Sequence, residues 1–179
     1  MKYLQQGGFR NHPLMRLTLG GALVLLAGFW VTTALMYFRV MTLDPASVVA
    51  YYRGDEARFM EPRTYGSMLE VTHTHLPMMA LVMLLLTHLA IFLPWSMGRR
   101  AALILTAFGF ALGGEAASWL VRFVSPAWAP LKVACFVGLE LTLAGLLVAL
   151  ALYLAAGDRP GARARAVQAG DGPVLEDDE

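Results

Sequence analysis

The chain has 179 residues, 58% hydrophobic and only 15% charged, with a mean hydropathy of +0.57. A soluble domain is about 45–50% apolar and about 25% charged, so this composition points to an all-α integral membrane protein. A net charge of +1 offers no basic field for nucleic acid, and the single Cys135 allows neither an internal disulfide nor a paired-cysteine zinc site.

A bilayer core of about 30 Å takes about 20 apolar residues as helix, and four stretches qualify. They run from about Leu17 to Phe38, Val71 to Trp95, Ala101 to Leu120 and Trp128 to Ala156. The expected layout is a cytoplasmic segment over 1–16, a four-helix bundle over 17–156 and a flexible cytoplasmic tail over 157–179. The first apolar run is too long for a signal peptide and lacks a small-residue cleavage site, so it reads as a retained span. The tail is rich in Gly, Ala and Arg, ends in acids and has no apolar period.

Orientation follows from basic residues in the short flanks. Lys2, Arg10, Arg16, Arg99, Arg100, Arg159, Arg163 and Arg165 fall on the side of both termini. On the other side are Arg39, Arg53, Arg58, Arg63, Arg122 and Lys132, four of them in a loop where acids balance them. The positive-inside rule places both termini in the cytoplasm of a bacterial inner membrane.

The loop over 39–69 is expected to carry a short helix. Asp44-Pro45 reads as an N-cap with proline at the first helical position, and Gly54 reads as its stop. Val48, Val49, Tyr51 and Tyr52 either sit at headgroup depth or cap the bundle. The mixed charges Asp55, Glu56, Arg58, Glu61 and Arg63 read as a solvated turn.

The second span opens with Glu70-Val71-Thr72-His73-Thr74-His75-Leu76-Pro77-Met78-Met79, and His88 follows. Neutral imidazole is a common metal and haem ligand, and a histidine within a span needs a partner or a cavity. His73 and His88 fall within roughly 60° of each other and roughly 22 Å apart along a helix. That is the spacing of a helix that ligates two stacked haems, but no second helix carries a matching histidine pair. Met36 lies at similar depth, so one outer haem b held by a histidine and Met36 is the leading expectation. Glu70 and His73 have the i, i+3 spacing of di-iron bundles, with Glu115 as a further carboxylate. Iron, or copper on His73, His75, Met78 and Met79, is therefore the alternative, beside no cofactor at all.

Two acids lie inside spans. Glu115 sits in Gly113-Gly114-Glu115-Ala116-Ala117-Ser118, small residues that admit a neighbouring backbone or a flat ligand. It reads as a proton carrier, a quinol acceptor, a metal ligand or a helix–helix hydrogen bond. Glu140 reads mainly as the last, and Arg122 as a side chain that snorkels outward or pairs with a loop acid.

Three segments carry a resemblance: Asp44-Pro45-Ala46-Ser47-Val48-Val49-Ala50-Tyr51-Tyr52-Arg53-Gly54, Leu69-Glu70-Val71-Thr72-His73-Thr74-His75 and Ser118-Trp119-Leu120-Val121-Arg122-Phe123. Over roughly Leu17 to Leu154 the chain resembles an uncharacterised group of bacterial four-span membrane proteins. Some of that group carry an elongation factor 1-alpha label, although nothing in this chain resembles a GTPase. A looser similarity is to b-type cytochrome membrane subunits, from which the chain departs by lacking a second histidine helix. The resemblance implies the four-span layout and singles out His73, His75 and His88.

The expected role is a small subunit of a respiratory or electron-transfer assembly, alone or as a homodimer, in contact with lipid, other subunits and quinone. The alternative is an accessory or scaffold subunit without a cofactor.

Overall fold

The computed structural model describes residues 13–156. The tail over 157–179, most of the 1–16 segment and His12 lie outside the described residues, as do Lys2, Arg10, Arg159, Arg163 and Arg165. Five α-helices follow in order: α1 Pro13–Val40, α2 Pro45–Arg53, α3 Tyr65–Ala90, α4 Met97–Trp119 and α5 Ala129–Ala155. Among the described residues there is no β-strand. A π-type turn, Leu120–Val124, extends α4. Among the described residues, four helical stretches are long and apolar enough to cross a membrane: Pro13–Val40, Tyr65–Ala90, Met97–Val124 and Pro126–Ala155. The all-α four-span bundle is therefore observed.

Four crossings return the chain to its starting side, with α2 at the opposite end. The central helix is α5, which packs against α1, α2, α3 and α4. Small residues explain its close seat on α4. Gly113 faces Cys135 Sγ, which would lie 3.0 Å from an added Cβ, and Gly138 receives the Phe110 ring. The neighbour admitted by Gly113-Gly114 is thus α5. On the other flank Trp30 Nε1 donates to the Glu140 carbonyl at 3.1 Å, and Tyr37 stacks on Phe136 at 3.6 Å.

The second span differs from its expected bounds at both ends. It begins at Tyr65, because the Thr64 hydroxyl accepts from the Ser67 amide and caps the helix there. It ends at Ala90, just before Phe92-Leu93-Pro94, where the proline disfavours helix in the residue before it. Hydropathy marks what lipid must cover, whereas caps decide where the backbone turns. His88 consequently stands two residues from the end of α3, well short of the roughly 12 Å depth that a span reaching Trp95 gives it.

Candidate functional site

At the α2 end, sequence-local chemistry builds a lid. The Asp44 side chain accepts from Ala46 N at 3.0 Å, Pro45 opens the helix, and Gly54 closes it at φ 86°, ψ 166°. Val48 and Tyr52 are buried against the bundle, so α2 caps it; Tyr51 is half-buried. The Tyr52 hydroxyl and the Ser118 hydroxyl of α4 lie 3.0 Å apart. Burial pushes the Tyr52 phenol above its usual range, against the pull of its Ser118 hydrogen bond, and keeps it neutral.

The loop after α2 is more than a solvated turn. The Arg63 guanidinium lies 4.3 Å over the Tyr51 ring, and Arg63 N bonds the Tyr52 carbonyl at 3.0 Å. Arg122, expected to snorkel outward or to pair with a loop acid, donates from Nε to the Arg63 carbonyl at 2.5 Å. The π-type turn presents Arg122 to this carbonyl, and such turns are frequent at functional sites. Among the described residues, the basic side chain that pairs with a loop acid is Arg58, which meets Asp55 at 3.4 Å on the surface.

Beneath the lid lies a polar cluster between α3, α4 and α5. Thr72 Oγ1 accepts from Trp119 Nε1 at 2.9 Å and donates to Glu115 Oε1 at 2.5 Å. The other Glu115 oxygen lies 3.5 Å from His75 Nδ1. Lys132 Nζ reaches across from α5 to the Gly114 carbonyl at 3.0 Å. A cavity of about 60 Å³ opens beside this cluster, lined among others by Tyr52, Arg63, His75, Glu115, Ser118 and Lys132. A water needs roughly 10–15 Å³ of such space, so the cavity has room for a short water cluster.

The candidate residues separate into two groups. His75 and Glu115 meet, although the His75 side chain stays 55% exposed. His73 does not join them. Two residues along a helix are about 200° apart, and His73 is exposed with Glu70 on the opposite face of α3. His88 is exposed too, its ring edge-on to Phe92 at 5.9 Å. Thr106 bonds the carbonyls of Ala102 and Leu103 in its own helix and offers His88 nothing. Met36 is 70% exposed on α1, and among the described residues no three His, Cys, Asp or Glu side chains gather. Both Glu140 oxygens are buried without a hydrogen-bond partner among the described residues, about 12 Å deeper along α5 than Lys132.

Thr72, Ser118, Tyr52 and Lys132 belong to the cluster and were not expected as site residues. Thr72 carried a usable signal, since it lies three residues before His75 and so shares its face. Lys132 carried none, because its partner is a carbonyl on another helix.

A family model described as a transmembrane helical domain, Aq_1264_TM, matches residues 42–161. The match begins just before α2 and takes in every residue of the lid and the cluster, while α1 precedes it. No curated protein and no solved structure matches the chain. With two thirds of its length matched, the chain belongs to this transmembrane helical domain family.

Proposed function

We propose that the chain is a small subunit of an inner-membrane electron-transfer assembly, with its lid at the outer face and both termini in the cytoplasm. In this reading His75 would hold haem b, or copper or iron in its place. The observation that carries it is the His75 Nδ1–Glu115 contact beside a half-exposed imidazole. A ligating histidine commonly turns its other ring nitrogen to a carboxylate, which sets the tautomer and raises ligand basicity. Glu115 is placed for that role and is itself held by Thr72. This chain's cluster would supply one histidine to such a group, and a second donor would have to come from another subunit or a second copy. When bound, such a group supplies one-electron transfer. The chain's own residues orient His75, and the cavity with Lys132 and Glu115 holds water or a proton beside it.

A reduced-minus-oxidised visible spectrum and metal analysis of the purified full-length protein test this. The expected result is an α-band at about one haem per chain or per dimer, lost in His75→Ala and kept in Glu140→Gln. A featureless spectrum without metal, from folded protein, rejects it. A reporter fused after Glu179 tests the orientation, and a periplasmic signal there inverts it.

A second reading, an accessory or scaffold subunit, draws on a different observation. Tyr52, Thr72, Trp119, Lys132 and Arg122 all find partners inside the chain, as a cluster that only pins the lid requires.

A further inference from the structure

Four cations stand around the lid, and among the described residues none of them forms an ion pair. Arg53 donates to the Val121 carbonyl at 3.3 Å, Arg122 to the Arg63 carbonyl and Lys132 to the Gly114 carbonyl, while Arg63 stacks on Tyr51. Arg63 and Lys132 line the cavity. The acid on its wall is Glu115, whose oxygens are already engaged by Thr72 and His75. Even with an uncharged His75, two cations face one acid there, and Arg53 and Arg122 raise the potential around them. A cation withdrawn from water without a counter-ion is costly. The cavity calls for an anion.

Position and size narrow its chemistry. Val71 and His75 line the cavity and are 46% and 55% exposed on the outside of α3. Met68 above them and Val82 below are buried, but no residue from Leu69 to Leu81 is. The wall is therefore open beside a spanning helix, where the surrounding medium is lipid. Arg63 precedes α3, and Lys132 stands six residues into a span that begins at Pro126, roughly 9 Å along its axis. Headgroups take roughly 5–7 Å on each side of the hydrocarbon core, so both cations lie at or just beneath the level of the lipid phosphates. A lysine at that depth ordinarily snorkels outward, yet Lys132 turns inward. At roughly 15 Å³ per water, the cavity of about 60 Å³ takes the four oxygens of one phosphate.

We propose that this cavity is a phosphate site filled from the bilayer, and that Arg63 and Lys132 hold the phosphate of one anionic phospholipid beneath α2. Arg63, its plane set by the Tyr51 ring, offers a fork of donors that matches two phosphate oxygens. Lys132 spends one of its three N–H donors on Gly114 and keeps two for the anion. Basic pockets between spanning helices take lipid headgroups on the same electrostatic ground. The inference goes beyond the role given to His75 and needs no cofactor there.

The test uses the full chain in mixed micelles of a neutral detergent, with phosphatidylglycerol as the probe and native mass spectrometry as the readout. One phosphatidylglycerol per chain should be retained, while diacylglycerol, which has the same chains without the phosphate, should not. Lys132→Met and Arg63→Gln should each lower retention about tenfold or more, as the loss of one charge-assisted contact implies. Lys132→Arg should restore it, and Arg58→Gln, which removes the surface cation paired with Asp55, should leave it unchanged. Hydrogen exchange of the unaltered chain needs no variant: phosphatidylglycerol should protect α2 and the loop through Arg63, and diacylglycerol should not. Equal retention of the two lipids, or full retention of phosphatidylglycerol in folded Lys132→Met and Arg63→Gln, overturns the site. Binding of millimolar inorganic phosphate with the same dependence on Arg63 and Lys132, without retained lipid, overturns the lipid source. A featureless visible spectrum with lipid retained rejects the cofactor alone, and an α-band without retained lipid rejects the phosphate site alone.

Discussion

The two ends of the bundle are held by different means. Away from α2 the buried core is aliphatic: Met83, Leu86, Leu146 and Leu150 are each at most 2% exposed, around Ala107 and Ala111, with aromatic rings such as Trp30 and Phe92 at its margin. Its few polar ties include Arg100, which donates to the Ile91 carbonyl just past the end of α3, where a cation suits a helix C-terminus. At the α2 end the aliphatic cluster is small, and aromatic rings, hydroxyls and cations carry the contacts. The contrast has a physical root. Lipid tails are as apolar as leucine, so aliphatic burial between spanning helices gains shape-matched packing but no hydrophobic drive. The polar end lies outside that solvent or at its edge, where each hydrogen bond has direction and selects one arrangement. The aliphatic half supplies a body, and the α2 end supplies a site.

Breaking the lid should therefore cost more than thinning the body. At φ 86°, ψ 166°, Gly54 occupies a region reserved to glycine, which costs another residue about 1–3 kcal/mol. A Cβ there would also lie 2.6 Å from the Met60 carbonyl oxygen and 2.9 Å from Pro62 N, both backbone atoms. Gly54→Ala should lose about 3 kcal/mol or more, read by equilibrium unfolding in mixed micelles. Hydrogen exchange should show α2 and the following loop opening first. Protection there equal to wild type would show that the lid is not held by this turn.

In the aliphatic half the comparable probe is Leu146→Ala. In water such a change costs about 2–5 kcal/mol, as transfer plus cavity. In lipid only the lost packing remains, so about 1–2 kcal/mol is expected, with α2 exchange unchanged. A loss as large as that of Gly54→Ala would mean that the body and the lid unfold as one unit.

Within the lid, Tyr52→Phe isolates a single hydrogen bond. The ring keeps its buried seat, and Ser118 retains its bond to the Gly114 carbonyl at 3.1 Å. The expected cost is about 1 kcal/mol, together with faster exchange in α2 and no change at the other end. A neutral result would assign the lid's hold to Val48 and the Arg63–Tyr51 stack.

The sequence was most legible where one residue type has one physical use. Asp44-Pro45 and Gly54 marked α2 to the residue, and continuous apolar runs located four spans. The small residues at Gly113-Gly114 foretold a close neighbour, though not that it is α5 carrying Cys135. Less legible were contacts that only tertiary packing creates, such as Lys132 on a carbonyl of α4 or Arg122 on the loop backbone. The histidine run misled in a different way. Nearness in sequence drew His73 and His75 into one cluster, while the helical period that aligned His73 with His88 also sends His73 and His75 to opposite faces.

His88 is the smallest test and the one that bears on that lesson. Read as lying deep in hydrocarbon, an unpaired imidazole would cost several kcal/mol, and replacing it should change stability. The structure puts it in the last turn of α3, exposed, two residues before the helix ends and beside Phe92. At that level the ring reaches the headgroup region and water, and no buried partner is called for. His88→Gln should then shift stability by less than about 0.5 kcal/mol, the usual range for surface positions. A loss of bound cofactor in this variant would instead make the face of α3 ligate at both ends, and it would return His73 and His88 to the two-level arrangement that their spacing allows.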